Sequence, residues 1–378
     1  MKKILYILPS LESGGAEKAS VMVANALCLR YSLTFFLFKK GGVLGKSLDR
    51  KIKIAVHQLY DDRTTFSRIY TTYVRIPFAL VRYIRENDFD TVVSAFELGP
   101  EIPVMILSIW CRLTQRRNRI RFVSIIQNSI TGVLGTRRRN GIAMKIVSLC
   151  RSIVFDNIVA VSESIALELL PADRRRITII PNPVDRSEIL NHSTKELPLS
   201  LQHITNGSYF INVARISKQK NQMFLLRAMN SVARMIPEKL VIAGLTTDEV
   251  YKKELEKYIS ENGLEDRIMF TGALENHFPL LVKSKALVNS SMYEGVPLAI
   301  LETMAVGKCI LSTKFVGYEN LLTEENSLLA ETESEFADYM VQLSRNSLAV
   351  EHRIERAKKD VQRYDISLIS EQYHQLFV

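Results

Sequence analysis

The chain has 378 residues, 47% of them apolar, and its 50 basic and 40 acidic side chains give a formal net charge of +10. This length allows two domains of about 150 to 200 residues, each with its own hydrophobic core. Four cysteines without paired spacing indicate neither a zinc site nor a disulfide framework, and a reducing compartment is expected: Cys28, Cys111, Cys150 and Cys309.

The sequence predicts neither a signal peptide nor a membrane-spanning helix. The N-terminal stretch Met1–Pro9 has two lysines, but its apolar run is too short for a signal-peptide core and lacks a small-residue cleavage site. We interpret it as a first buried strand. The longest nearly apolar run, Ile102–Cys111, falls below the ~20 residues that a spanning helix needs.

Short apolar runs recur along the chain with helical stretches between them. The runs are continuous rather than alternating, which is typical of strands buried on both faces in a parallel sheet. They form two series, so the sequence predicts an α/β protein with two doubly wound parallel sheets in tandem. The first series is Ile4–Leu8, Leu33–Phe38, Ile52–Val56, Thr91–Ala95, Phe122–Ile126, Asn157–Val161 and Ile177–Ile180, and the second is Tyr209–Ala214, Leu240–Ala243, Ile268–Thr271, Ala286–Val288 and Cys309–Ser312.

A change of composition marks the domain boundary. After Pro181–Asp185 the chain becomes polar and irregular up to Ser208, which favours a hinge near Pro183. We predict an N-terminal domain over 1–190, a C-terminal domain over 191–360, and a final helix over 361–378 that caps the second domain or returns to the first.

The stretch 290–307 is the most informative part of the sequence. Pro297 stands at the expected first position of a helix and Gly307 at its end, between two strand-like runs. A unit of this kind places its loop and the helix N-terminus at the carboxyl edge of the sheet, where backbone N–H groups bind phosphate. Glu294 in the loop or Glu302 one turn into the helix can accept hydrogen bonds from a polyol, so the pattern suggests a sugar nucleotide.

In each domain, one further motif follows the first strand. Gly14 and Gly15 allow close approach of the backbone to a ligand, although the dinucleotide-binding spacing is absent. In the second domain, Arg215 and Lys220 can hold a diphosphate from two directions, since arginine supplies paired planar donors and lysine a mobile charge.

The sequence predicts no metal site. Asp88 and Asp90 have the Asp-x-Asp spacing of metal-dependent sugar transferases, but they precede a strand and are expected at the amino edge, away from ligands. The six histidines are dispersed without the spacing of metal ligands: His57, His192, His203, His277, His352 and His374.

The excess of positive charge lies in one segment, the basic stretch 112–151. No acidic residue occurs between Ile102 and Phe155, and such a stretch favours a polyanionic partner, either an anionic lipid surface or nucleic acid. Its basic residues are Arg112, Arg116, Arg117, Arg119, Arg121, Arg137, Arg138, Arg139, Lys145 and Arg151.

Taken together, these motifs resemble the GT-B class of glycosyltransferases, and specifically the large retaining group called glycosyltransferase family 4. The resemblance covers nearly the whole chain and includes a Glu-x7-Glu signature at Glu294 and Glu302. The other matching segments are Gly14–Glu17, Val161–Glu163, Pro181–Asp185, Val213–Arg215, Lys220–Asn221, Ser291–Pro297 and Glu302–Ala305.

The resemblance implies two Rossmann-like domains that face a cleft, with the acceptor held by the first and the donor by the second. Arg215 and Lys220 would neutralise the diphosphate, Glu294 would contact the donor sugar and Glu302 the ribose. No metal or other cofactor is expected. The remaining donor-binding residues would be Gly14, Gly15, Gly295, Val296 and Leu298.

The chain departs from the family pattern at two places. Where the family commonly has a histidine near the donor sugar, this chain has Gln127 and Asn128, whose amides can bind a substrate but cannot act as a general base. Where the family has a glycine pair, this chain has Gly317 and Tyr318.

We therefore expect a retaining, metal-independent glycosyltransferase that uses a UDP-linked sugar and a glycan or lipid-linked acceptor. It would work in the cytoplasm at the inner face of the membrane, which it would contact through the basic stretch 112–151, without binding nucleic acid. The alternatives are a nucleotide-sugar epimerase of similar build and a non-enzymatic polyanion-binding protein with a relic cleft.

Overall fold

The chain forms two compact units in a computed structural model. The structure describes residues 1–12, 14–56, 70–96, 101–114, 120–129, 142–169, 176–202 and 208–378, and within these ranges it does not describe the side chains at 142–145 and 199. The first unit is Met1–Pro183 with Ile366–Val378, and the second is Val184–Asp365. The chain passes from one unit to the other after Pro183 and again after Asp365. These two points are adjacent, because the N–H of Val184 donates to the carbonyl of Tyr364 at 2.8 Å. Residues 184–190, assigned to the first domain by sequence, therefore belong to the second unit.

The first unit contains a parallel sheet with the strand order β3-β2-β1-β4-β5-β6-β7. Its edge strands β3 and β7 differ from the expectation of burial on both faces, since Ile54 and Ile179 are exposed. An edge strand has a neighbour on one side only, so part of its surface stays open. The strands are β1 (Lys3–Leu8), β2 (Ser32–Leu37), β3 (Lys53–Val56), β4 (Thr91–Ser94), β5 (Arg121–Ile126), β6 (Asn157–Ala160) and β7 (Ile177–Ile179).

Helices of the first unit alternate with these strands along the chain. The final helix, α13, packs against α1, and the Tyr31 hydroxyl lies 2.8 Å from Nδ1 of His374. The helices are α1 (Gly15–Leu27), α2 (Ile76–Glu86, preceded by a π turn at Thr71–Arg75), α3 (Glu101–Leu113), α4 (Ile142–Val154), α5 (Glu163–Glu168) and, from the end of the chain, α13 (Ile366–Phe377).

A buried ion pair joins α3, α4 and β5 in this unit. The Arg151 guanidinium donates from Nε to Glu101 Oε1 at 2.6 Å and from its terminal nitrogen to Oε2 at 2.9 Å. The Ser124 hydroxyl donates to the same carboxylate at 2.8 Å. Because both charged groups leave water, the pair needs this bidentate geometry and the additional hydroxyl donor to offset desolvation.

The second unit contains a parallel sheet with the order β10-β9-β8-β11-β12-β13. The sequence analysis missed the edge strand β13, a run of three residues, although it predicted a strand from a run of the same length at Ala286–Val288. Periodicity does not decide runs this short. Together the two sheets confirm the predicted α/β architecture. The strands are β8 (Tyr209–Val213), β9 (Lys239–Ala243), β10 (Ile268–Gly272), β11 (Ala286–Asn289), β12 (Cys309–Thr313) and β13 (Leu328–Ala330).

Helices also cover the second sheet, and its apolar strand residues pack with them into one core that includes Phe210, Leu226 and Phe336. Gly244 follows β9 where a Cβ atom would overlap the carbonyl oxygen of Ala214, so the ends of β8 and β9 approach closely only with glycine there. The helices are α6 (Arg186–Ser193), α7 (Gln222–Val232), α8 (Glu249–Glu261), α9 (Phe278–Lys283), α10 (Leu298–Val306), α11 (Glu333–Ser344) and α12 (Glu351–Asp360).

Candidate functional site

The second sheet has its topological switch point between the neighbouring strands β8 and β11. Connections from these two strands run to opposite sides, which leaves a crevice outside their carboxyl ends where α/β proteins bind ligands. Arg215 and Lys220 lie in the connection after β8, and Glu294 lies in the connection after β11. The topology thus brings these three predicted residues to one edge of one sheet.

Hydrogen bonds join the two connections directly. The Ser290 hydroxyl lies 2.9 Å from the carbonyl oxygen of Lys220, to which it can donate. The N–H of Met292 donates to the Gln219 carbonyl at 2.9 Å, and the Gln219 amide donates to the Tyr293 carbonyl at the same distance. These bonds hold the loops in register, so the side chains that they carry are preorganised.

Lys220 and Glu294 form an ion pair at the centre of this edge. The lysine ammonium contacts Oε1 of Glu294, and the Ser291 hydroxyl donates to the same oxygen at 2.7 Å. The side chain of Lys220 is 16% exposed and that of Glu294 is 6% exposed. An ammonium has three donors and this contact uses one of them, so a ligand phosphate can use the others.

The helix after this loop, α10, begins one residue later than expected. Pro297 precedes the first helical residue and has an extended ψ of 117°, whereas Gly307 ends the helix as predicted with a φ of +70°. Residues Gly295, Val296 and Leu298 are all buried around this start. The first N–H groups of a helix have no partner within the helix, and here they lie at the carboxyl edge of the sheet.

Glu302 lies inside α10 and is hydrogen-bonded to His277, a residue that the sequence analysis did not select. The Nε2 atom of His277 lies 2.8 Å from Oε2 of Glu302, and the carboxylate is 3% exposed. His277 immediately precedes α9, in the connection after β10. Its position after a strand could have indicated a place at the ligand-binding edge of the sheet. Only the fold shows that it reaches the carboxylate of Glu302, 25 residues away.

Arg215 differs from Lys220 because it is exposed and makes no hydrogen bond or ion pair with its side chain to any residue that the structure describes. It influences Tyr293 through charge. Burial raises the pKa of the Tyr293 phenol, the negative charge of Glu294 adds to this, and the positive charge of Arg215 opposes it. The edge therefore combines a fixed cation, Lys220, with an exposed one.

The predicted residues of the first domain lie at the carboxyl edge of the first sheet. Gly14 precedes α1 and Gly15 is its first residue, after β1; Ser13 of the same motif lies outside the described residues. Gln127 and Asn128 directly follow β5, and Gln127 is buried. All four belong to the first unit.

The second departure from the family pattern has a simple structural consequence. Gly317 has a φ of +97°, a conformation that favours glycine, while Tyr318 begins a short 3-10 turn. The N–H of Tyr318 donates to the Phe315 carbonyl at 3.0 Å. The chain therefore keeps glycine at the one position of the pair where the backbone needs it.

The predicted basic surface is wrong for Arg151, which is 1% exposed and belongs to the buried pair with Glu101. Arg112 and Arg121 donate to the backbone carbonyls of Ile153 and Leu376. The stretch around Arg151 contains no acidic residue, but Glu101, just outside it, supplies the counter-charge. The absence of acidic neighbours in the sequence therefore does not place a basic residue at the surface. The other basic residues lie outside the described side chains: Arg116, Arg117, Arg119, Arg137, Arg138, Arg139 and Lys145.

The Asp-x-Asp pattern lies at the amino edge of the first sheet, as expected. Oδ2 of Asp90 accepts a hydrogen bond from the N–H of Lys3 at 2.7 Å. Within the described ranges, no three His, Cys, Asp or Glu side chains come together in a group that could hold a metal ion. In the same part of the chain, no helix is long and apolar enough to cross a membrane.

Known proteins resemble this chain in sequence and in fold. Residues 194–360 match the family model Glycosyl transferases group 1. The GalNAc-alpha-(1->4)-GalNAc-alpha-(1->3)-diNAcBac-PP-undecaprenol alpha-1,4-N-acetyl-D-galactosaminyltransferase of Campylobacter jejuni is 22% identical over 86% of this chain and 83% of its own length. The capsular polysaccharide biosynthesis glycosyltransferase CapH of Staphylococcus aureus is 24% identical over 80% and 78%.

Among solved structures, the Anabaena protein HepE in complex with UDP-glucose superimposes with a TM-score of 0.79 at 18% identity, over 100% of this chain and 99% of that one. Such a likeness shows the fold, which is GT-B. With the matched family segment and the similar enzymes, it makes this protein a GT-B glycosyltransferase. The expected fold and enzyme class are confirmed, and the non-enzymatic alternative is wrong.

Proposed function

We propose that the protein transfers a sugar from a UDP-linked donor to a lipid-linked or growing glycan in cell-surface polysaccharide synthesis, as a retaining member of glycosyltransferase family 4. The Lys220–Glu294 pair at the switch point is the observation that supports this most directly. The names of the relatives agree with it: one enzyme acts on an undecaprenol-linked glycan, another belongs to capsular polysaccharide biosynthesis, and HepE binds UDP-glucose.

In this proposal the carboxyl edge of the second sheet holds the donor. Lys220 and Arg215 bind the diphosphate, with the N–H groups of Val296 and Leu298 beside it. Glu294 accepts hydrogen bonds from hydroxyls of the donor sugar while it holds Lys220 in place. Glu302 accepts a hydrogen bond from the ribose, and His277 fixes the orientation of that carboxylate.

The proposed chemistry balances without a protein base. The bond between the anomeric carbon and the diphosphate oxygen breaks, and the acceptor oxygen forms a new bond to that carbon on the same face. The acceptor proton passes to an oxygen of the departing diphosphate. Catalysis then consists mainly of stabilising negative charge on the leaving group with preorganised cations and N–H donors. The amides of Gln127 and Asn128 fit this scheme as acceptor-binding groups.

We propose that no metal ion takes part, because Arg215 and Lys220 supply positive charge at the place where a metal would otherwise bind the diphosphate. A chelator should therefore leave the transfer rate unchanged. Loss of activity on chelation, restored by a divalent cation, would contradict this part of the proposal.

The site of action in the proposal is the inner face of the cell membrane. Basic residues of the stretch 112–151, with Arg151 excepted, would attract anionic head groups, at about 1 kcal/mol for each residue near the surface. Such attraction is screened by salt. Equal binding to neutral and anionic vesicles would argue against it.

The decisive experiment compares Lys220→Ala with Lys218→Ala. Nucleotide sugars are first screened for thermal stabilisation, since a ligand that binds only the folded state raises the melting temperature. Transfer to a lipid-linked glycan is then measured with the best donor. We expect Lys220→Ala to lose transfer by a factor of about 10² or more while the protein stays folded by far-UV circular dichroism.

Lys218 provides a matched control, because it lies in the same turn, 65% of its side chain is exposed, and its ammonium pairs only with Glu254 among the described residues. Lys218→Ala should keep full activity. Full activity in Lys220→Ala would overturn the site assignment. Conversion of the nucleotide sugar without any acceptor would instead favour the epimerase alternative, and product NMR would report whether the anomeric configuration is retained.

A further inference from the structure

Helix α4 in the first unit buries two polar residues and exposes large apolar ones. Its inward face contains Ser148 and Arg151, which are 2% and 1% exposed. Its outward face contains Leu149 and Ile153, which are 54% and 49% exposed. A helix at the surface of a protein in water normally has the opposite arrangement. The apolar outward face therefore indicates a partner other than water.

Helix α3, beside α4, also exposes apolar residues, although it buries apolar residues such as Val104 and Leu107 as well as polar ones. Glu101 and Ser108 are buried on its inner side, where the Ser108 hydroxyl donates to the Val154 carbonyl at 3.3 Å. Ile109 and Leu113, one turn apart, are exposed on its outer side. The ion pair of Glu101 and Arg151 thus fixes both helices with their apolar residues turned outward.

The segment that leads into α2 adds a third stripe. Val74 and Phe78 lie one turn apart, and Phe78 is 73% exposed. Helix α3 contacts both α2 and α4, so the three stripes belong to neighbouring helices. We call the surface formed by these six residues the apolar face: Val74, Phe78, Ile109, Leu113, Leu149 and Ile153.

The charges around the apolar face distinguish between possible occupants. Arg75, Arg82 and Arg85 are exposed on the same segment as Phe78, and Arg85 lies over the ring of Trp110 at 5.0 Å. The only acids in these helices are Glu86, which pairs with Arg82, and the buried Glu101. Apolar and aromatic side chains bordered by arginines match a bilayer with anionic head groups.

A second copy of the chain fits less well. In a two-fold symmetric dimer the same patch occurs on both sides of the interface. Arg75 and Arg85, which border the apolar face and form no ion pair with any described residue, would then approach their own copies, which is unfavourable.

We propose that the apolar face enters the interfacial region of an anionic membrane, so that the first unit is held by inserted side chains as well as by charge. This inference rests on the proposed function, which supplies the lipid-linked acceptor. It goes beyond attraction by the basic stretch, because attraction alone is removed by salt whereas insertion of apolar side chains is not.

Flotation with vesicles tests this proposal. The vesicles contain phosphatidylcholine alone or with phosphatidylglycerol, each at low and high salt. The wild-type protein should bind the anionic vesicles most strongly and keep a bound fraction at high salt. The triple variant Phe78→Ser, Ile109→Ser, Leu149→Ser should lose that salt-resistant fraction, with a partition coefficient lower by about tenfold or more.

The matched control is Val250→Ser, which changes an apolar residue of the second unit that is 68% exposed. It should bind vesicles as the wild type does. Far-UV circular dichroism of the triple variant should match the wild type, since all three residues are exposed. Unchanged vesicle binding by the triple variant would overturn the inference. It would also be overturned if the wild type binds no vesicles and sediments as a dimer while the triple variant sediments as a monomer.

The same samples separate this inference from the proposed function. Vesicle binding needs neither donor nor acceptor. If transfer is absent but salt-resistant binding depends on the apolar face, the proposed function fails and the inference stands. If transfer occurs and the triple variant binds vesicles normally, only the inference fails.

Discussion

Each unit of this protein contains a carboxylate paired with a cation, and the two pairs have opposite surroundings. In the first unit Arg151 holds Glu101 through two nitrogen atoms, and the side chains are 1% and 0% exposed. In the second unit Lys220 contacts Glu294 at the carboxyl edge of a sheet, and 16% of the lysine side chain is exposed.

The difference teaches how to distinguish a structural ion pair from one that can bind a ligand. The planar guanidinium of Arg151 is enclosed by two helices and a strand, so its donors serve the fold. The ammonium of Lys220 keeps donors available at a crevice. Burial and an ion pair are common to both, so the place in the sheet and the remaining exposure decide the role.

The largest expected effect tests the structural pair. Arg151→Met leaves Glu101 buried without its cation and should lower the free energy of unfolding by ~3–5 kcal/mol, measured by urea denaturation. Replacing Glu101 by Met as well should recover much of that loss. Arg234→Met, at an exposed arginine, is the control and should change stability by no more than ~0.5 kcal/mol. A loss that small in Arg151→Met itself would contradict the structural role.

A second change tests whether the ligand edge depends on close strand packing. Gly244→Ala places a methyl group against the carbonyl of Ala214, next to Arg215, and should cost ~1–3 kcal/mol of unfolding free energy. Gly45→Ala is the control, because a Cβ atom there would meet only ordinary contact with Leu11. Equal stability of the two variants in urea would show that β8 and β9 tolerate separation at this point.

A smaller effect is expected from the hydroxyl that supports the second pair. Ser291→Ala removes the hydrogen bond to Glu294 while leaving Lys220 in place, and kcat/KM for transfer should fall about tenfold, equivalent to ~1.4 kcal/mol. The melting temperature should stay close to that of the wild type. Ser260→Ala, at an exposed serine, should keep full activity. Full activity in Ser291→Ala would mean that Glu294 needs no such support.

The smallest effect is a change of labelling rate in the Arg151→Met protein. Cys111 is buried in α3, the helix that carries Glu101, so local loosening of this helix should speed its alkylation. Burial raises the pKa of the Cys309 thiol in the second unit to about 12, and its alkylation should stay slow at pH 7 to 9 because little thiolate forms below that pKa. Mass spectrometry after brief alkylation measures both. Equal acceleration of the two thiols would show that the damage is not confined to the first unit.

Much of the fold could be predicted because its signals are local. Continuous apolar runs indicated the buried strands. Gly307 indicated the end of α10, because glycine readily adopts the left-handed conformation that the chain has there. The same reasoning failed for the edge strand β13 and for the burial of Ile54 on another edge strand. Position within the sheet, rather than the run itself, decides how much of a strand is buried.

The candidate site was predictable to the extent that parallel strands place their carboxyl ends at one edge. That rule brought Arg215, Lys220 and Glu294 together before any geometry was known. It could not show that Lys220 and Glu294 touch, since 74 residues separate them in the chain. Nor could it select His277, whose role depends on reaching Glu302.

By itself the sequence determined the α/β class, the order of the strands along the chain, and the residue types that could hold a nucleotide sugar. Only the tertiary structure decided which charges face a ligand and which face the core. Arg151 illustrates the reason, because its acidic partner Glu101 lies 50 residues away in sequence and next to it in space. Charge pairing and burial depend on distances in three dimensions, and a local pattern does not contain them.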